Sequence, residues 1–344
     1  MDSPTRIAQK MAALAGMGFQ RVDTPDPQPE TVRVGGNRYR VTDAQPSMNT
    51  LVSVTAVHES EGLVQDAMAA AFLEMERVVN LLNRYDSSSA LSCLNTERFM
   101  DAPPPELSTV LLQARFYHNA TDGAFDPTVK PLVDLFRDGS PEESKVLDAL
   151  ALVDARSVEV SPRAIRLPRP GMGLTLDGIA KGFVVDRMAV VLRAQGLKNF
   201  LINAGGDIRS SGFRGDGEAW RVGVQDPQKR GELPDVIGLI DGAVATSGSY
   251  EVYFDRERSY HHIVSAQSGA SPQFSQSVSV TAPTTLAADA LATSLFLMEP
   301  ERGVAFIESL PMCACLILDQ HGRQLRSKGW PSATEPPTSK AGKT

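Results

Sequence analysis

Strand signals that follow one another directly are the feature that most limits how this chain can fold. Segments 219–224, 236–246, 250–255 and 276–282 each read as a strand, and they succeed one another rather than alternating regularly with helices. Such a run favours an α+β fold of mixed, largely antiparallel sheets with flanking helices over a repeating βαβ array. Upstream, residues 51–57 (LVSVTAV) alternate apolar and polar as a half-buried strand does. Met68, Phe72, Met75, Val79 and Leu82 then recur at spacings of four and three, which predicts one apolar helix face ending near Tyr85-Asp86. Pro103-Pro104-Pro105 opens a second helix over 106–120.

Composition narrows the function classes. The chain has 344 residues, enough for one large domain or two ordinary ones, and at 42% hydrophobic it is not a disordered polymer. Its 34 basic side chains are scattered among 41 acidic ones, which argues against a duplex-binding surface. No run reaches the roughly 20 apolar residues of a membrane span. The patch Met11 to Met17 follows Arg6 and Lys10 but lacks a clean cleavage site, so it reads as a surface helix or loose extension. Cys93, Cys313 and Cys315 show no metal-ligand spacing, and alternation sends the last two to one face of a strand. Buried thiols in a reducing compartment predict a cytoplasmic protein; the alternative is an exported one whose signal is absent from this sequence. The Pro-rich segments 25–30 and 331–344 suggest an N-terminal extension over 1–45, a main domain over 46–328 and a disordered tail over 329–344.

Four clusters could carry chemistry. In 177–196 a helix begins with Gly178, Lys181 and Gly182, and small residues with free amides and a lysine suit an anion such as phosphate; simple close packing explains them equally well. In 203–212 a strand enters Asn-Ala-Gly-Gly-Asp, a tight turn that either brings backbone against a neighbour or is an ordinary hairpin. On the helix 286–298, Asp289 and Thr293 lie four apart on one face, a pair of hard oxygen donors suited to magnesium. The bland alternative leaves Asp289 at the surface and Thr293 bonded to its own helix. In 258–272, His261 and His262 alternate faces, so only one can enter a cleft as a general base. His58, His118 and His321 read as structural.

Taken in order, Met48-Asn49-Thr50, RYDSSSALSCLN (84–95), GAFDPTVKPL (123–132), DGIAKGFVVD (177–186), NAGGDI (203–208), ATSG (245–248), HIVSAQSG (262–269) and ADALAT (288–293) resemble the FAD:protein FMN transferase (ApbE) family. The resemblance runs from Met48 to about Arg323. It implies a transferase that cleaves FAD, joins FMN to a Thr or Ser hydroxyl of a target protein (protein flavinylation) and releases AMP, with Mg2+ as cofactor. Carried over position by position, it implies metal ligation by the Gly178 carbonyl and the side chains of Asp289 and Thr293. It further implies flavin contacts from Met48, Tyr85, Ala124, Phe125, Asp126, Lys181 and Ile263, and His262 as base. Asp177 stands where the family has glycine and is taken as a further cofactor contact.

Three departures bear on turnover and target choice. Ser265-Ala266 replace Asp-Pro after the His-Ile-Val triplet, Thr175 replaces an acid, and Asn49 replaces the glycine of Met-Gly-Thr. The partners implied are FAD and a target flavoprotein, with no nucleic acid, no transmembrane segment and a homodimer left open. The alternatives are a magnesium-dependent FAD pyrophosphatase, with water as acceptor, and a non-catalytic flavin-binding protein.

Overall fold

Among the described residues nine strands lie side by side in one sheet, and every ladder between them is antiparallel. The computed structural model describes residues 29–139, 141–215, 217–227, 233–248 and 263–333. In chain order the strands are β1 (Glu30–Arg33), β2 (Tyr39–Ser47), β3 (Thr50–His58), β4 (Phe99–Asp101), β5 (Glu159–Val160), β6 (Ala164–Arg166) and β7 (Asn199–Ala204). They continue with β8 (Asp207–Ser211), β9 (Trp220–Val224), β10 (Asp235–Leu239), β11 (Ala243–Gly248), β12 (Ser275–Ala282), β13 (Ala314–Asp319) and β14 (Gln324–Arg326). The large sheet runs β1-β2-β3-β7-β8-β11-β12-β13-β14, while β4 to β6 and the β9–β10 hairpin form two small sheets. The helices are α1 (Glu61–Leu82), α2 (Ala90–Glu97), α3 (Pro105–Ala120), α4 (Lys130–Arg137), α5 (Glu143–Leu150), α6 (Ala180–Ala194), α7 (Thr285–Phe296) and α8 (Pro300–Glu308). The architecture is the α+β arrangement that the strand pattern predicts.

The two faces of the sheet are covered differently. Helix α1 starts where the Ser60 hydroxyl accepts from the Leu63 N–H, and it buries Val64, Met68, Phe72, Met75 and Leu82. It packs against α6, α6 packs against α7, and all three contact the sheet. On the opposite face, Val222, Val224, Ile237 and Leu239 of the β9–β10 hairpin pack on Ile208, Val244 and Leu316. Strand β13 is therefore buried at every position, its Cys315 and Ile317 toward the helices and Leu316 toward the hairpin. Among the described residues no helix is long and apolar enough to cross a membrane.

The ordered chain extends beyond the domain limits read from sequence. Strands β1 and β2 join the large sheet ahead of residue 46; they escape detection because β2 is fully buried only at Val41, leaving no clean alternation. At the other end Trp330 packs into the hairpin-side core, its indole N–H donating to Asp235 (2.9 Å), and Ser332 bridges to Ile237, both past residue 328. The strand expected over 250–255 and the patch Met11 to Met17 lie outside the described residues.

Two two-residue hairpins form one rim of the sheet. Met48 and Asn49 turn β2 into β3 with φ of 50° and 59°, the left-handed pair of a type I′ turn. Asn tolerates that region better than other side chains, so loss of glycine at 49 costs little. Gly205 and Gly206 turn β7 into β8, and a Cβ on Gly205 would come within 2.5 Å of the Thr50 hydroxyl. The glycine turn is thus both an ordinary hairpin and a close backbone approach.

Helices α6 and α7 cap each other. A Cβ on Gly182 would collide with the Thr285 carbonyl oxygen, so glycine lets the two N-terminal turns touch. At that contact the Gly182 N–H donates to Asp289 Oδ2 (3.0 Å). In return Asp186 of α6 accepts from the Thr285 N–H (3.0 Å) and the Leu286 N–H (2.9 Å) of α7. Each carboxylate sits at the positive end of the other helix. Asp186→Ala would leave two buried amides unpaired, so urea unfolding is expected to show a loss of about 1–3 kcal/mol. Asp186→Asn should fall between it and the parent, and an unchanged midpoint for both would refute the mutual cap.

Candidate active site

A cleft of about 770 Å3, counted out to its open mouth, lies where the α6 and α7 N-terminal turns meet the ends of β8 and β11. Phe125, Asp126, Asp177, Gly178, Lys181, Ile263, Asp289 and Thr293 all line it, so eight residues singled out in the sequence converge. Met48, Tyr85 and Ala124 do not line it, and His262 lies outside the described residues.

Asp289 is a buried and strongly perturbed group in this cleft. Its carboxyl is nearly inaccessible at 6% exposure. Burial pushes its pKa well above the usual carboxylate range, the charges of Asp207 and Asp177 push it further, and Lys181 and the Gly182 N–H pull it back. The ammonium of Lys181 stands 3.6 Å from Asp207. Asp177 is paired with Arg84 (2.9 Å), so the buried Asp289 shares Lys181 with Asp207, and an added cation would ease its ionisation.

The donors fit such a cation. A Cβ on Gly178 would sit 2.8 Å from Thr293 Oγ1, so the Gly178 backbone lies directly against that hydroxyl. Asp289 and Thr293 are one turn apart on α7, and neither takes the bland reading: Asp289 is buried and the Thr293 hydroxyl lies 3.3 Å from Ser247 Oγ. It is the next residue, Ser294, that bonds back to its helix, at Ala290 (2.6 Å). Among the described residues no three His, Cys, Asp or Glu side chains converge on a point. The Asp289 carboxylate and the Thr293 hydroxyl, with the Gly178 backbone against that hydroxyl, are hard oxygen donors that could hold magnesium rather than zinc.

The remaining candidates divide into walls and supports. Phe125 and Ile263 are buried apolar surfaces of the cleft. Asp126 turns its carboxylate inward, accepting from the Thr128 N–H (2.7 Å) and the Ala155 N–H (3.2 Å) and standing 3.2 Å from His118 Nδ1. Asp126 in turn holds the His118 pKa above its ordinary value, so His118 is structural, as its helical position predicts. Tyr85 is exposed, with the Arg84 guanidinium 4.6 Å over its ring. Arg84, itself buried, also lies 2.9 Å from Asp177 and so ties Tyr85 to the cleft mouth.

The departures have local explanations. The Ser265 hydroxyl accepts from the Gln267 N–H (3.2 Å) and the Ser268 N–H (3.3 Å), a turn-forming role that an aspartate also fills. The Thr175 hydroxyl accepts from the Asp177 N–H (3.3 Å), which fixes the segment leading into Gly178. Sequence inspection missed Asp207, Ser247, Arg84 and Asp186. Asp207 was signalled by its place after the double glycine, and Ser247 by its place in the ATSG block, although its contact with α7 is not legible locally.

A family model described as the ApbE family matches residues 48–317. This chain belongs to the ApbE family. Curated ApbE relatives named "FAD:protein FMN transferase" include one from Treponema pallidum, 31% identical over 86% of this chain and 89% of its own length. Another, from Vibrio cholerae, is 29% identical over 77% of this chain and 83% of its own. Among solved structures, the flavin transferase ApbE from Vibrio cholerae aligns with a TM-score of 0.74 at 26% identity, covering 88% of this chain and 98% of that one. The ApbE protein of Thermotoga maritima aligns at 0.75 and 28% identity, over 88% and 97%. The ApbE family is a family of enzymes.

Asp289 carries a pH signature. Its folded-state pKa is raised above the unfolded value near 3.9, so folding takes up a proton between the two. Stability of the metal-free protein therefore falls as pH rises from about 4 through the folded-state value. Asp289→Asn keeps an acceptor for Gly182 and removes that descent. Thermal melts in EDTA at pH 8 are expected to place the variant several degrees above the parent, with the gap closing near pH 4; parallel pH profiles would refute the assignment.

Proposed function

We propose that this chain transfers the FMN half of FAD to a Thr or Ser hydroxyl of a target protein, with Mg2+ and with release of AMP. The observation that carries this reading is the convergence of Asp289, Thr293 and Gly178 beside Lys181 in a cleft that also presents Phe125 and Ile263. A dinucleotide needs both halves of that surface, an electropositive point for its diphosphate and apolar walls for its rings.

Asp289, Thr293 and the Gly178 carbonyl would hold the cation. When bound, it supplies positive charge against the two phosphates and the departing AMP. Lys181, kept in place by Asp207, adds a second positive charge for the diphosphate. Phe125 and Ile263 exclude water from the flavin side, and the exposed Tyr85 ring, backed by Arg84, offers an aromatic face at the mouth. His262, whose chain neighbour Ile263 lines the cleft, is assigned the acceptor's proton. A neutral imidazole is able to take that proton. The acceptor oxygen then bonds to the flavin-side phosphorus, the phosphoanhydride bond breaks, and AMP leaves with the bridging oxygen. The three free thiols agree with a cytoplasmic setting for this reaction.

The purified protein incubated with FAD, Mg2+ and an acceptor domain is expected to yield a flavin-fluorescent band that survives denaturation. Asp289→Ala or EDTA should lower its rate about 100-fold or more, in keeping with the several kcal/mol a metal supplies. FMN and AMP accumulating equally fast without any acceptor would instead establish a pyrophosphatase.

A further inference from the structure

A neutral hydroxyl that ligates a cation must direct a lone pair at the ion and send its proton elsewhere. For a threonine inside a helix the usual destination is the carbonyl four residues back. Ser294 makes that bond on α7, to Ala290, but the Thr293 hydroxyl leans across to β11, where Ser247 Oγ stands 3.3 Å away. The neighbouring hydroxyl on β11, Thr246, is engaged with Ser279 Oγ (2.7 Å), whereas the Ser247 hydroxyl is the one that meets α7. Ser247 also lines the same cleft as Asp289 and Gly178.

We propose that Ser247 is a positioning residue for the metal site: it accepts the Thr293 proton and so turns the Thr293 lone pairs toward the cation. This inference rests on the magnesium reading above. It assigns Ser247 no contact with the ion and no part in bond breaking. Outer hydrogen bonds of this kind orient the ligands that touch a metal, and their loss commonly weakens binding by about 10–100-fold. The arrangement also joins the two halves of the site, since Thr293 is on a helix and Ser247 on the sheet beneath it. Ligand orientation then depends on the α7–β11 contact and not on α7 alone.

The test titrates Mn2+, which shares the preference of magnesium for oxygen ligands, into the full chain with saturating FAD, reading unbound Mn2+ by electron paramagnetic resonance. Ser247→Ala is expected to raise the Mn2+ dissociation constant about tenfold. Ser247→Thr, which restores a hydroxyl, should return it close to the parent value. Thr293→Val should weaken binding more, and Ser247→Ala added to Thr293→Val should weaken it no further, because the serine acts through the threonine. The circular dichroism spectrum of Ser247→Ala in EDTA should match that of the parent and so reports that the fold around the cleft is intact. Parent-like Mn2+ affinity in Ser247→Ala, failure of Ser247→Thr to recover it, or independent losses in the double variant would each overturn the proposal. Parent-like affinity in Thr293→Val would overturn the metal assignment itself, which separates the two failures.

Discussion

The mutual capping of α6 and α7 is the constraint on which the rest of the cleft depends. Gly182 removes the side chain that would hold the helices apart, and the space so created admits Asp289 to the first turn of α6. Asp186 closes the exchange by satisfying two amides of α7. Neither carboxylate could be buried without these donors, because an unpaired ionised group in the interior costs several kcal/mol. One contact therefore sets the distance between the helices, buries the acid and brings Thr293 against Gly178.

The electrostatics follow from that geometry. Burial raises the Asp289 pKa first, the charge of Asp207 adds to it, and Lys181 and the Gly182 N–H offset part of the rise, while Asp177 is paired with Arg84. An apolar core would have been simpler to pack at the end of two helices. A raised carboxyl beside a hydroxyl and a glycine backbone is an arrangement that favours a functional site over simple packing. Departures from the ApbE pattern leave this centre intact: Asn49 takes a left-handed turn it tolerates, Ser265 forms the turn expected of an acid, and Thr175 steadies the approach to Gly178.

Much of the frame was legible because it is local. The apolar stripe from Met68 to Leu82 fixes the face of α1, the double glycine fixes a hairpin, and the four-residue spacing of Asp289 and Thr293 puts both on one side of α7 whatever surrounds it. The ordered blocks from Met48 to Thr293 were enough to suggest the ApbE family. Strands β1 and β2 were not legible, since near the edge of a sheet their burial is too uneven to print an alternating pattern. Trp330 reads as part of a tail until Asp235, distant in the chain, supplies its partner.

Sequence by itself determined which residues could serve: the helical periods, the turn glycines and the oxygen-bearing side chains that chemistry of this kind requires. Only the tertiary structure decided which of them meet. Whether Asp289 is a surface acid or a buried one depends on a helix about a hundred residues earlier in the chain, and whether Thr293 bonds to its own helix or to Ser247 depends on a strand of the sheet. Those contacts join segments remote in the chain, and short-range periodicity carries no record of them.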